Sequence, residues 1–204
     1  MIEGVTSLKP FEHRVIPDRI EAGTFAAAAA ISKGRIRIEN CRPDHFHAVL
    51  DKLKQCGAEV EEEEDAVTVT GPERITPVEI ETGYYPAFPT DMQAQMMAVL
   101  TLADGASTII EHVYPDRFTH VPELCRLGAK ITLDNNVAVV TGVGKLDGAP
   151  VMATDIRASS ALILAGIVAE GETKVLRVYH IDRGYERIEE KLSTLGAHIE
   201  RIKE

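Results

Sequence analysis

The chain has 204 residues, 45% of them hydrophobic and 5% aromatic, and a formal charge of −10; that length buries one good core, and the Ala- and Leu-rich balance suits a single α/β domain. An acidic chain with no basic stripe cannot release counterions from a phosphate backbone, so no nucleic-acid partner is expected. No stretch approaches the ~20 apolar residues that span a bilayer, and residues 1–10 lack a signal-peptide core, so no membrane role is expected and the chain reads as cytoplasmic.

In chain order, residues 2–8 (IEGVTSL) align with VTGVGKL at 140–146 and more loosely with VTGPERI at 69–75. Both later segments close a structural unit, so residues 2–8 are expected to be the last strand of a unit that lies upstream. Asp18 then opens a helix, IEAGTFAAAAAIS, that is apolar on nearly every side. A helix without a polar face must be surrounded by protein. After a turn at Gly34 and the strand RIRIE, Asp44 is expected to cap an amphipathic helix closing on Leu53-x-x-x-Gly57-Ala58. Asp accepts from the free N–H groups of a first helical turn, and Gly tolerates the positive φ that ends a helix. The acidic run Glu61 to Asp65 falls at a hairpin turn, where a solvated loop is expected rather than a metal site.

The pattern then recurs twice. Asp91 opens the apolar helix MQAQMMAVLTLA, Gly105 turns, Asp116 is the expected cap, and Leu124-x-x-x-Gly128-Ala129 closes. Asp155 opens IRASSALILAGIVA, Gly171 turns, Asp182 is the expected cap, and Leu192-x-x-x-Gly196-Ala197 closes. A period of ~70 residues is too long for common helical solenoids, so three units are expected to close on themselves around their first helices. The predicted domain is 1–204, with repeats at about 9–82, 83–154 and 155–204, three buried helices at the centre, and sheets and half-exposed helices outside.

Cys41, Cys56 and Cys125 fit neither a disulfide framework nor a CxxC pair and are expected to be small buried thiols. The seven histidines include no HExxH or His/Cys cluster, so no metal is expected. Gly142, Gly144 and Gly148 miss the spacing of a dinucleotide loop, and no helix follows them directly.

The units differ in their arginines. After the second Asp of each unit stand His45, Arg117 and Arg183, and Arg157 lies two residues after Asp155. Guanidinium forks and helix N-termini both suit anions, so if the helices start at one end of the domain these groups form an anion-binding surface. An arginine that merely braces a neighbouring carboxylate is the competing reading for each. Asp91 is either a helix cap like Asp18 and Asp155 or, in its stiff setting Pro86-Ala87-Phe88-Pro89-Thr90, a catalytic carboxylate.

PAFPTDMQAQ (86–95), PDRFTHVPEL (115–124), ATDIRAS (153–159) and YHIDRGYERIEEKL (179–192) resemble the C-terminal half of the UDP-N-acetylglucosamine enolpyruvyl (1-carboxyvinyl) transferase family, over essentially the whole chain. The resemblance implies a fold of two inside-out α/β barrels of three units each. It also implies a bacterial enzyme of peptidoglycan synthesis that uses no cofactor. The implied reaction moves enolpyruvate from phosphoenolpyruvate to the 3-hydroxyl of UDP-N-acetylglucosamine by addition and elimination. Asp91 would be the base on that hydroxyl, and the Val113 backbone would meet the sugar nucleotide. Arg157 and Arg183 would hold phosphoenolpyruvate, and Arg117 would line the same cleft. The family's reactive Cys or Asp, a lysine and further arginines belong to an N-terminal half, the implied partner of this chain. The alternatives are the sister transferase acting on shikimate 3-phosphate and a non-catalytic anion-binding module.

Overall fold

The alanine run Ala26 to Ala30 makes the first helix, α1 (Arg19–Ser32), both a strong helix former and a thin one that neighbours can approach closely. The structure is a computed structural model that describes residues 3–202. After α1 come β1 (Arg35–Glu39), α2 (His47–Gln55), β2 (Glu59–Glu62), β3 (Ala66–Thr70), β4 (Glu79–Glu81), α3 (Gln93–Leu100) and β5 (Ala106–Ile110). Then follow α4 (Val121–Arg126), β6 (Lys130–Asp134), β7 (Val137–Thr141), β8 (Pro150–Met152), α5 (Ile156–Gly166), β9 (Lys174–Leu176) and α6 (Ile188–Thr194).

Helices α1, α3 and α5 pack against one another at the centre, and α3 is buried along its whole length. The seam between them is not wholly apolar. Thr24 and Tyr185 share a hydrogen bond of 2.8 Å, and the Gln95 Nε2 donates to Thr24 Oγ1 at 3.2 Å. Such pairing is what allows buried polar groups to be tolerated. The outer helices α2, α4 and α6 each bury one stripe: Val49, Leu50 and Leu53; Val121 and Leu124; Ile188 and Leu192.

All three outer helices end in the same way. The Ala58, Ala129 and Ala197 N–H groups donate back to the Leu53, Leu124 and Leu192 carbonyls at 3.0, 3.2 and 3.1 Å, with Gly57, Gly128 and Gly196 at φ of 97°, 93° and 101°. This is the Schellman closure that a Gly at C′ permits. Their starts differ from expectation. None of the three has a side-chain cap, because a 3₁₀ turn or an irregular segment intervenes between the aspartate and the helix. Asp44 pairs with Arg42, and Asp182 pairs with Arg201 at 2.7 Å.

The strands form three separate sheets among the described residues, ordered β1-β3-β2, β4-β5-β7-β6 and β8-β9. In the first two, β3 or β7 lies between two antiparallel neighbours. No closed sheet is formed, and β9 pairs with β8 alone. Residues 3–8, where a strand was expected, pair with no strand of the described chain; Ile2 lies outside the described residues. The acidic run reaches further into the sheet than expected: Glu61 and Glu62 end β2, and Glu63 to Asp65 form the turn to β3. Cys41 and Cys56 are buried, and burial pushes both thiols up, Cys56 to about 12. Cys125 differs from expectation: it is exposed, off the Val121 and Leu124 stripe of α4.

Gly142 follows β7 where the chain crosses the end of the α3 segment, so a Cβ there would run into the Ala103 carbonyl, whereas one on Gly144 would meet open space. Gly142→Ala is therefore expected to cost about 1–3 kcal/mol in denaturant unfolding, the range for overpacking, and Gly144→Ala to stay within about 0.5 kcal/mol. Equal stabilities of the two variants would contradict this close approach.

Candidate active site

Because α3 and α5 lie side by side, their N-terminal ends meet, and the residues before and inside their first turns come into contact. The cap of α5 is conventional: Asp155 Oδ1 accepts from the Arg157 and Ala158 N–H groups at 2.7 and 3.0 Å. Asp18 does the same for α1, accepting from Ile20 and Glu21 N–H. Asp91 does not. It sits inside the 3₁₀ turn Thr90–Met92 that leads into α3, and that helix has no side-chain cap.

Freed from capping, the Asp91 carboxylate is gripped by two arginines. Its Oδ1 takes Arg117 Nη2 at 2.8 Å and Arg157 Nε at 3.1 Å. Burial opposes its ionisation, but the charge and hydrogen bond of Arg157, and then those of Arg117, outweigh burial and hold its pKa below the ordinary carboxylate value. Asp91 is thus charged at neutral pH. Arg157 spends only Nε on this contact, and its two Nη groups have no partner among the described residues. These are donors available to an anion.

The loop before Asp91 is held in place. It folds back after β4 with the Gly83 N–H on the Phe88 carbonyl at 2.8 Å and with Phe88 buried; Tyr85-Pro86 is a cis peptide. The loop that carries Arg117 is anchored at both ends. At its start, the Val113 and Tyr114 N–H groups donate to Glu111 Oε1 at 2.9 and 3.0 Å. At its far end, Thr119 Oγ1 donates to Asp155 Oδ2 at 3.2 Å, and Gln93 Nε2 reaches the Arg117 carbonyl at 3.3 Å.

The structure therefore brings Asp91, Arg117 and Arg157 into direct contact. Val113 lies on the same loop as Arg117, but its N–H is already taken by Glu111, leaving its carbonyl and side chain for any ligand. Arg183 is exposed and makes no ion pair or hydrogen bond with these residues. It ends the 3₁₀ helix Val178–Arg183, and the next residue, Gly184, packs against Ile156 beside Arg157. His45, the first-unit counterpart of Arg117 and Arg183, lies in the 3₁₀ turn Pro43–His45, outside the Asp91 cluster. Sequence reasoning missed Glu111, Thr90 and His120. Among the described residues no group of His, Cys, Asp and Glu is disposed to hold a metal, and no helix is long and apolar enough to cross a membrane.

A carboxylate held ionised by two guanidiniums at paired helix ends can accept a proton while neighbouring donors bind anions. The chain that carries this cluster falls in a known family. The chain matches the profile of EPSP synthase (3-phosphoshikimate 1-carboxyvinyltransferase) over residues 1–192, and it belongs to that family. Within it, the chain is 56% identical over 202 residues to the UDP-N-acetylglucosamine 1-carboxyvinyltransferase of Anaeromyxobacter sp. (strain K), covering 99% of this chain and 48% of that protein. It is 54% identical over 203 residues to the enzyme of that name from Geotalea daltonii, covering 100% of this chain and 49% of the relative. Among solved structures, the enolpyruvyl transferase NikO from Streptomyces tendae superposes with a TM-score of 0.82 at 30% identity, over 90% of this chain and 44% of that one. The chain spans about half the length of the curated relatives it matches.

His120 stands just before α4, 2% exposed, with its Nε2 unpartnered among the described residues. Burial lowers its pKa from 6.5 to about 4, with Asp155 pulling the other way and Arg117 adding to the depression. The unfolded chain binds this proton near pH 6.5 and the folded chain only near pH 4, so the contribution of neutral His120 is complete above pH 6.5 and is lost as pH falls through that window. At 1.36 kcal/mol per unit the loss is about 3 kcal/mol. Unfolding measured between pH 7 and pH 4 is expected to show this decline, and His120→Gln to flatten it; an unchanged slope in the variant would contradict it.

Proposed function

We propose that this chain supplies one wall of the active site of an enzyme that transfers the enolpyruvyl group of phosphoenolpyruvate to the 3-hydroxyl of UDP-N-acetylglucosamine. The observation that carries the reading is that Asp91, alone of the three helix-entry aspartates, is withdrawn from capping and turned to Arg117 and Arg157. The relatives' names support the choice of substrates.

In this reading the Asp91 carboxylate takes the proton of the sugar 3-hydroxyl as its oxygen bonds to C2 of phosphoenolpyruvate. An acid from the N-terminal half, the proposed partner of this chain, protonates C3. The tetrahedral adduct then loses inorganic phosphate from C2 and a proton from C3. The free Arg157 Nη groups and Arg183 bind the phosphate and carboxylate, where placed charge offsets the repulsion between two anionic substrates. Arg117 keeps Asp91 ionised and lines the cleft, and the Val113 carbonyl faces the sugar nucleotide. The three central helices with their sheets form an inside-out barrel of units 9–82, 83–154 and 155–204, and the enzyme works in the bacterial cytoplasm on peptidoglycan precursors.

In an enzyme of full family length carrying this chain as its C-terminal half, Asp91→Asn is expected to lower kcat by ~10² to 10⁴, the usual loss for a general base. Sugar-nucleotide binding and the melting temperature should hardly change. A lowered melting temperature with normal kcat would return Asp91 to a structural role.

Arg157→Lys and Arg183→Lys keep the charge and lose the fork, so both are expected to cut activity steeply with little loss of stability. Wild-type kinetic constants for both substrates in both variants would remove these arginines from the site.

A further inference from the structure

Among the described residues Glu111 is the one acidic side chain that is fully buried, and no cation pairs with it. A buried carboxylate is costly unless hydrogen bonds replace its water. Glu111 accepts four: from Thr82 Oγ1 at 2.6 Å, from Val113 and Tyr114 N–H at 2.9 and 3.0 Å, all on Oε1, and from Thr90 Oγ1 at 2.8 Å on Oε2. Its donors lie at the end of β4, in the turn that carries Asp91, and at the start of the loop that carries Arg117.

The Thr90 hydroxyl has one hydrogen. Given to Glu111, that hydrogen leaves Thr90 Oγ1 an acceptor toward its other neighbour, Arg117 Nη1 at 3.3 Å. A guanidinium can only donate, so the polarity of the chain runs one way. The second terminal nitrogen, Nη2, then meets Asp91. We propose that Glu111 is a positioning residue for the Asp91 site: through Thr90 it sets the direction of the Arg117 fork, and through Val113 and Tyr114 it holds the loop that delivers that fork. The proposal deepens the reading of Asp91 as the base and rests on it.

Glu111→Gln keeps the shape, but three donors on one side retain the amide oxygen there and turn the NH₂ toward Thr90. Thr90 must then point its own hydrogen at Arg117, donor against donor. Thr90→Val deletes the link and leaves Glu111 intact, and Thr90→Ser restores the hydroxyl. The readout is the titration of the Asp91 carboxyl carbon by NMR in this chain, its signal assigned by loss in Asp91→Asn. The charged groups facing Asp91 are Arg157 from α5 and Arg117 from the loop after β5, with Glu111 beyond Thr90, and with Asp155 and His120 around Arg117. Loosening Arg117 removes one of the two charges that hold the carboxyl low, so the Asp91 midpoint is expected to rise in Glu111→Gln and Thr90→Val and to remain at its wild-type position in Thr90→Ser. If Glu111→Gln does not fold, the Thr90 pair decides alone. An unmoved midpoint in folded Thr90→Val overturns the proposal, since a merely structural Glu111 would alter only the melting temperature. Because the titration does not depend on turnover, a shifted midpoint beside normal kcat in Asp91→Asn would keep the positioning role and discard the base.

Discussion

Helices without a polar face have to be surrounded by protein, and α1, α3 and α5 satisfy that requirement largely by surrounding one another. Their mutual burial fixes more than a core. It sets the N-terminal ends of α3 and α5 side by side, so a carboxylate entering one helix lies within reach of an arginine in the first turn of the other. The separation between Asp91 and Arg157, 66 residues apart in sequence and 3.1 Å in space, is a consequence of that packing.

Around this contact, similar residues do different work. Asp18 and Asp155 satisfy backbone N–H groups, worth about 1 kcal/mol each as helix caps. Asp91 leaves α3 uncapped and receives two guanidiniums instead. A single partly buried pair is weak evidence of function, because structural ion pairs also shift pKa values. Here the arginines retain unused donors and the helix forgoes its cap. That combination suits a site that must hold one negative group permanently and admit others. Glu111 meets a complementary need, since the Arg117 fork aimed at that oxygen must itself be held in direction.

Much of the fold was legible in the sequence. The three apolar helices, the capping by Asp18 and Asp155, and the closures at Gly57, Gly128 and Gly196 follow from local rules that depend on neighbours within one turn. The starts of the outer helices did not follow, because whether Asp44, Asp116 or Asp182 caps depends on a 3₁₀ turn or loop that places arginine, or solvent, nearer than the helix. Asp91, Arg117, Arg157 and Arg183 stand in the family motifs, and Val113 was marked by the resemblance alone; Asp91, Arg117 and Arg157 meet in space. Glu111 was invisible for a physical reason. A glutamate after a strand reads as solvated, and only the convergence of Thr82, Thr90 and two loop N–H groups makes its burial tolerable. The one available hint was its place two residues before Val113, a position the family resemblance had marked.

As the proposed base, the Asp91 carboxylate must meet the sugar hydroxyl with its free side. The most direct measurement is a crystal structure, with UDP-N-acetylglucosamine bound, of an enzyme of full family length that carries this chain as its C-terminal half. The 3-hydroxyl oxygen is expected at hydrogen-bond distance from Asp91, about 2.6–3.2 Å, with Arg117 and Arg157 still on Oδ1. A sugar nucleotide seated elsewhere, with Asp91 contacted by the two arginines alone, would contradict it.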